Sequence, residues 1–158
     1  MSKWPYVAGI LDGEGSIHAH RSSGHLAIKI TIVGTDIRLM KWLLGNFGGK
    51  FYSRTKKTSG GRTAYYWMPS GKKNRTNFLL GILPYLLLKR EQAILALQFL
   101  QLEGICPDKR TVLLDKISDL NHKDVSVETN TLDSSLDEKI ESALIGDNEC
   151  ALVVTQEA

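Results

Sequence analysis

Two carboxylates, Asp12 and Glu14, stand among glycines in the run Val7-Ala8-Gly9-Ile10-Leu11-Asp12-Gly13-Glu14-Gly15. Carboxylate oxygens are hard donors suited to Mg²⁺, which takes one or two protein carboxylates and completes its shell with water and phosphate. A divalent cation held this way can polarise a phosphodiester and lower the pKa of an attacking water. Much further along, Lys89 follows Leu86-Leu87-Leu88, and a lysine at a phosphate site can stabilise charge as it develops. On an ordinary helix surface the same lysine is only a solvated cation. His18 and His20 form a His-x-His pair that could hold a metal. No third ligand lies near them in sequence, so they read instead as polar residues on one strand face.

The charge distribution points to an acidic partner. The net charge is only +3, yet residues 1–122 carry 18 Lys and Arg against 8 Asp and Glu, while residues 123–158 carry 2 against 9. Within residues 1–75 the only acids are Asp12, Glu14 and Asp36, set against 13 basic residues. That is the electrostatic footprint of a nucleic-acid binder, although scattered cations also occur on surfaces with no partner.

The elements that must position these groups follow from pattern. Trp4 to Leu11 reads as a helix with Pro5 in its first turn, stopped by Gly13-Glu14-Gly15. Two runs of period-two alternation, Ser16 to Arg21 and His25 to Val33, flank the turn Ser22 to Gly24 and predict a hairpin. Thr35 or Asp36 caps a helix from Ile37 to Phe47 that closes at Gly48-Gly49. A second hairpin, Lys50 to Lys57 and Arg62 to Met68, encloses the loop Thr58 to Gly61. Alternation divides every strand into two faces. Ile17, Ala19, Leu26, Ile28, Ile30, Ile32, Phe51, Tyr65 and Trp67 form the expected buried set. His18, His20, His25, Lys29, Thr31, Lys50, Tyr52, Arg54, Lys56, Arg62 and Tyr66 fall on the opposite pleat. A sheet built this way presents its cations on one face and packs helices on the other. Those helices are expected at Asn74 to Leu83, Tyr85 to Leu102 and Lys109 to Leu120.

Length and composition bound the rest. A chain of 158 residues fits one domain with an appendage, here residues 1–122 followed by an acidic tail, 123–158, with a short amphipathic helix expected from Leu132 to Ile145. The most apolar stretch, Leu79 to Leu88, is too short and too Pro-interrupted to span a bilayer. With no secretory signal at the N-terminus, a soluble chain is expected, in the cytoplasm or in an organelle that encodes it. Cys106 and Cys150 have no zinc-site spacing and are expected as reduced thiols.

The nonapeptide Val7 to Gly15 resembles the LAGLIDADG motif of homing endonucleases, with Ala8, Gly9, Asp12 and Gly15 identical and Gly13 a frequent variant. Its context follows the order of that family: Gly15-Ser16-Ile17 opening a strand, Asp36 before an apolar helix ending in Phe47-Gly48-Gly49, Tyr65-x-Trp67, and Pro84 through Lys89 to Ala93. The resemblance spans residues 4–122. It implies an α/β chain of the α+β kind, an αββαββα fold whose four-stranded antiparallel, saddle-shaped sheet is backed by helices. Gly9 and Gly13, four apart, share a helical face where two backbones can approach closely. The resemblance makes that face, with Ala8, Gly9, Asp12 and Gly13, the interface of a homodimer. It also implies that Glu14, where the family more often has Asp, is catalytic and binds Mg²⁺ with the Gly13 backbone carbonyl, and that Lys89 assists. Asp12 has two readings, a supporting role at the helix end, which is the expected one, and direct ligation of the metal. Mn²⁺ is expected to substitute for Mg²⁺, and Ca²⁺ to support binding without cleavage. The implied reaction is hydrolysis of one phosphodiester per strand, across the minor groove of a long pseudo-palindromic DNA site, leaving short 3′ overhangs. The eleven residues of the polar pleat, His18 to Tyr66, become the DNA-binding set.

One departure is evident. Many members of the family carry Gln or Asn at the end of the second strand to hold water, and here the stretch is Val33-Gly34-Thr35, with Thr35 the nearest substitute. Two other functions fit the same resemblance: an RNA maturase that assists splicing of its host intron, and a DNA-binding regulator that has lost cleavage. Glu14 and Lys89 argue against the second.

Overall fold

The structure, a computed structural model, describes residues 2–22, 25–55, 61, 63–102 and 104–122. Helix α1, Trp4–Glu14, accepts Pro5 in its first turn, where no intrahelical N–H is required. Its Val7, Ala8 and Leu11 are fully buried. The helix runs three residues past the expected stop at Leu11, because the Gly15 N–H donates to the Leu11 carbonyl and closes the last turn. Strand β1, Gly15–Ser22, then starts with no intervening loop. Such an abrupt exit needs a glycine: a Cβ on Gly15 would lie 2.4 Å from Leu11 Cδ1 and 2.7 Å from the Leu11 carbonyl oxygen.

β1 pairs antiparallel with β2, His25–Gly34, from Gly15 opposite Ile32 to Ser22 opposite His25. The turn joining them lies partly outside the described residues. Helix α2, Ile37–Phe47, is capped by the Asp36 carboxylate, which accepts the Arg38 N–H at 2.8 Å. It ends at Gly48, whose φ of 65° belongs to the left-handed region that favours glycine. Strands β3, Lys50–Thr55, and β4, Thr63–Met68, pair antiparallel, and β4 joins β2 through Ile32 opposite Trp67. The sheet order is therefore β1-β2-β4-β3. The expected strand ends at Lys56, Lys57 and Arg62, and the loop between them, fall outside the described residues apart from Gly61.

Helix α3, Lys72–Ile82, runs into a 3₁₀ turn, Leu83–Tyr85. Helix α4, Arg90–Gln101, and helix α5, Pro107–His122, complete the order α1-β1-β2-α2-β3-β4-α3-α4-α5. The expected helix from Tyr85 to Leu102 is corrected at its front: residues 86–89 are not helical. Consecutive leucines suggest a continuous apolar helix, but Leu86 is 1% exposed whereas Leu87 and Leu88 are 86% and 75% exposed. The N–H groups of Leu87 and Lys89 are taken by a side chain of α1 instead of by helical carbonyls.

The core lies between the helices and the inward pleat of the sheet. Ile17, Ile28, Ile30, Ile32 and Trp67 are buried there as alternation requires, with Ala19, Leu26, Phe51 and Tyr65 partly buried against them. Trp67 donates its indole N–H to the Gly48 carbonyl at 2.9 Å and packs against Phe47 and Phe78. A tilted contact joins Trp4 to Phe47, and the same indole fills the space over Gly81, where a Cβ would meet it at 2.5 Å. Cys106, expected as a free thiol, is disulfide-bonded, and Cys150 lies outside the described residues. Among the described residues no helix is long and apolar enough to cross a membrane. The tail and its expected helix, Leu132 to Ile145, are outside the described residues.

The α1–β1 joint generates a stability prediction. Gly15→Ala forces a methyl group against Leu11 and costs about 1–3 kcal/mol, as overpacking does. Urea denaturation checks this, and an unchanged midpoint would show that the joint relaxes freely.

Candidate functional site

Glu14 is the last residue of α1 and the neighbour of the first residue of β1, so backbone geometry fixes it where helix meets sheet. Its side chain is exposed, and with the described residues it makes no hydrogen bond or ion pair. The helix end around it is electronegative, since the last carbonyls of a helix lack intrahelical partners and carry the negative pole of the dipole. Gly13, in the final turn, contributes one of those carbonyls.

Asp12 faces inward along the same helix end. Its Oδ2 accepts the Leu87 N–H at 2.8 Å and its Oδ1 accepts the Lys89 N–H at 3.0 Å. The Lys89 ammonium donates to the Asp12 backbone carbonyl at 2.5 Å. Three bonds therefore bring Lys89 to the turn that ends in Glu14, across 77 residues of sequence. A single chain supplies no cluster of three or more His, Cys, Asp or Glu able to hold a metal among the described residues. What it supplies is one exposed carboxylate and a nearby helix-end carbonyl, which suits the small protein share of a Mg²⁺ shell.

The outward pleat begins beside this helix end. Ser16 and Thr31 form its first cross-strand pair, followed by His18 opposite Lys29 and His20 opposite Ala27. On the neighbouring strands Tyr52 lies opposite Tyr66, with Arg54 and Lys50 on the same parity. His20, His25, Lys50, Tyr52 and Arg54 are exposed, and His18, Lys29 and Tyr66 are half-buried. The Tyr52 and Tyr66 rings stack at 5.0 Å with an interplanar angle of 5°. Thr31 departs from expectation: it is 6% exposed and its buried hydroxyl has no hydrogen-bond partner among the described residues. It sits beneath the surface that its neighbours form. Lys56 and Arg62 lie outside the described residues.

The expected interface residues divide. Gly9 and Gly13 are exposed, and a Cβ at either would meet nothing within 4 Å. Ala8 is corrected: it is fully buried within the subunit, because it shares the inward stripe of α1 with Val7 and Leu11. The Asp12 carboxylate is likewise taken up inside its own chain. Exposed apolar side chains flank the bare helix face, with Tyr6 60% exposed in α1 and Leu87 at the Asp12 contact.

Neither a family model nor a curated protein matches the chain. Solved structures do. The chain is similar to the homing endonuclease I-CvuI in complex with its target in the presence of 2 mM Ca, at a TM-score of 0.60 and 22% identity over 89% of this chain and 94% of that one. It is similar to the archaeal intron-encoded homing endonuclease I-Vdi141I complexed with DNA, at a TM-score of 0.60 and 14% identity over 91% and 98%. It also matches the meganuclease I-SmaMI bound to uncleaveable DNA, at a TM-score of 0.52 and 18% identity, covering 87% of this chain and 49% of that one.

The chain has the homing-endonuclease fold. Within that fold, sequence reasoning anticipated the parity that buries Ile17, Ile28, Ile30, Ile32 and Trp67. It missed the grip of Asp12 on residues 87–89 and the burial of Thr31. An indication of the first was present in Leu86-Leu87-Leu88, since three consecutive leucines cannot all face one core.

His18 generates a pH prediction. Burial, then the positive charge of Lys29, then that of His20, hold its imidazole pKa below the ordinary value of 6.5. Between the depressed folded value and the unfolded one, the unfolded chain binds more protons, so stability rises with pH. The contribution is full above the unfolded value and is lost as pH falls through the folded one. The thermal midpoint should therefore drop on acidification from about pH 7.5 to about pH 5.5, and less steeply in His18→Gln. Parallel slopes for the two proteins would remove His18 as the source.

Proposed function

We propose that this chain is a site-specific DNA endonuclease that works as a homodimer and hydrolyses one phosphodiester in each strand. The observation that carries the reading is Glu14: an exposed carboxylate, unpaired among the described residues, at the point where helix α1 passes into a cationic sheet face. A carboxylate there has no structural task that the described residues reveal, and the residues around it are those a phosphate backbone would meet.

The roles follow from placement. Glu14 and the Gly13 carbonyl would hold Mg²⁺, which when bound supplies Lewis-acid polarisation of the phosphate and a more acidic water. Mn²⁺ would substitute, and Ca²⁺ would support binding without cleavage. Lys89 would donate to a phosphate oxygen and offset developing negative charge. His18, His20, His25, Lys29, Lys50, Tyr52, Arg54 and Tyr66 would line a DNA groove, with Arg54 reading a base edge and the lysines contacting phosphate. Cleavage across the minor groove of a long pseudo-palindromic site would leave short 3′ overhangs and serve the homing of an intron. Support comes from the similar structures, of which I-CvuI and I-Vdi141I are complexes with DNA.

One Glu14 per subunit serves one strand, so cutting both strands calls for a second copy. The bare stripe of Gly9 and Gly13 would admit the partner helix. The chain also covers nearly all of I-CvuI but only half of I-SmaMI, so two copies approach the length of one I-SmaMI chain.

Selection of cleaved sites from a randomised duplex library with Mg²⁺, against Ca²⁺ and chelator controls, tests the activity and reports the symmetry of the target. Glu14→Gln should abolish cleavage and leave DNA binding intact; loss of folding would show that the carboxylate is structural. Gly9→Leu separates assembly from folding. Because the position is open within the subunit, leucine should stabilise the monomer by about 1 kcal/mol through helix propensity. It should also convert a dimer to a monomer in sedimentation and abolish double-strand cutting. A Gly9→Leu protein that remains dimeric would rule out this face as the interface.

A further inference from the structure

We propose that Asp12 is a positioning residue, which holds residues 87–89 so that the Lys89 ammonium stays at the helix end that carries Glu14. The inference rests on the nuclease reading above and assigns Asp12 a role inside the subunit in place of an interface role.

A lysine on an irregular segment is a poor catalytic group unless something fixes it, because its long stem has many rotamers to lose. Residues 86–89 are not helical, although the Lys89 carbonyl accepts the Ala93 N–H at 3.0 Å at the start of α4, and Leu87 and Leu88 beside Lys89 are largely exposed. Leu86 is anchored in the core, but packing does little to restrain Leu87 and Leu88. The Asp12 carboxylate does it instead, with one oxygen on the N–H of Leu87 and the other on the N–H of Lys89. Charge-assisted bonds of this kind are stronger than neutral ones. They fix the backbone on both sides of residue 88, which directs the side chain of Lys89 towards α1.

The choice of acceptors matters. The ammonium is not paired with the Asp12 carboxylate; it donates to the Asp12 backbone carbonyl at 2.5 Å. Lys89 forms no ion pair with the described residues. An ammonium has three donors, so two remain available for phosphate oxygens. A carboxylate partner would have cancelled the charge that makes the lysine useful, whereas a carbonyl at the negative end of a helix dipole steadies it without neutralising it. Asp12 thus divides its labour: its side chain fixes the backbone, and its main chain locates the ammonium.

Asp12→Asn tests this with little change of shape. An amide has a single acceptor oxygen, and its NH₂ would face one of the two N–H donors. Amide hydrogen exchange at Leu87 and Lys89, which needs neither DNA nor metal, should accelerate by about tenfold or more. Single-turnover cleavage at saturating DNA should fall about ten- to a hundredfold, with affinity for the duplex in Ca²⁺ changed by less than about twofold. In a Lys89→Met background the same substitution should cost less than about threefold, because the residue it acts through is gone. An equal loss in both backgrounds, or wild-type cleavage despite faster exchange, overturns the proposal. Should Asp12→Asn fail to fold, Leu87→Pro removes one donor from the other side at an exposed position and leaves Asp12 in place; it should show the same Lys89-dependent loss, and full activity would overturn the proposal. A wild-type chain that cuts no duplex would defeat the nuclease reading itself. Unprotected Leu87 and Lys89 amides in the wild type would defeat the clamp, whatever the chain does to DNA.

Discussion

The hydrogen bonds that Asp12 receives from Leu87 and Lys89 join segments 75 and 77 residues apart, and the geometry around Glu14 depends on them. Helix α1 is wedged between the sheet and the other helices by Val7, Ala8 and Leu11, so its C-terminal turn cannot drift. In residues 86–89 only Leu86 is wedged into the core, while Leu87 and Leu88 stand exposed. Without the carboxylate the segment would be held only at its ends, by Leu86 in the core and by the Lys89 carbonyl at the start of α4. Local order at the site is thus borrowed from one rigid element by one side chain.

Helix α1 serves several neighbours with different faces. Its apolar stripe enters the core, its Asp12 reaches the segment before α4, its glycines stay bare, and its last residue opens onto the sheet. Eleven residues suffice because a helix separates functions by angle, and because Gly15 lets the chain turn into β1 at once. A loop at that joint would have loosened the link between Glu14 and the outward pleat.

Much of this was legible in the sequence, for physical reasons that also explain what was not. Strand alternation assigned Ile17, Ile28, Ile30, Ile32 and Trp67 to the core because a pleat has only two sides, and all five are buried. Asp36 announced the start of α2 because an N-cap is a local device. The contacts of Asp12 are not local, and no periodicity encodes which backbone groups a carboxylate will find across the fold. Ala8 was misplaced because motif membership does not specify angle; a helical wheel puts it with Val7 and Leu11. Thr31 has the parity of the surface pleat, and parity is blind to how far neighbouring side chains close over a small one.

The sheet order leaves β1 and β3 as its margins. β1 is covered, since Asn121 of α5 donates to the Ile17 carbonyl at 3.1 Å and Arg21 pairs with Asp115 of the same helix. Among the described residues β3 has no such escort in sheet order, and it is there that Lys50 and Arg54 stand exposed. Charged residues on a margin repel a second strand that would otherwise continue the ladder. Cations proposed to meet an acidic ligand would therefore also discourage fibre-like stacking of one molecule upon the next, and exchanging them for neutral groups to retune recognition would weaken that safeguard.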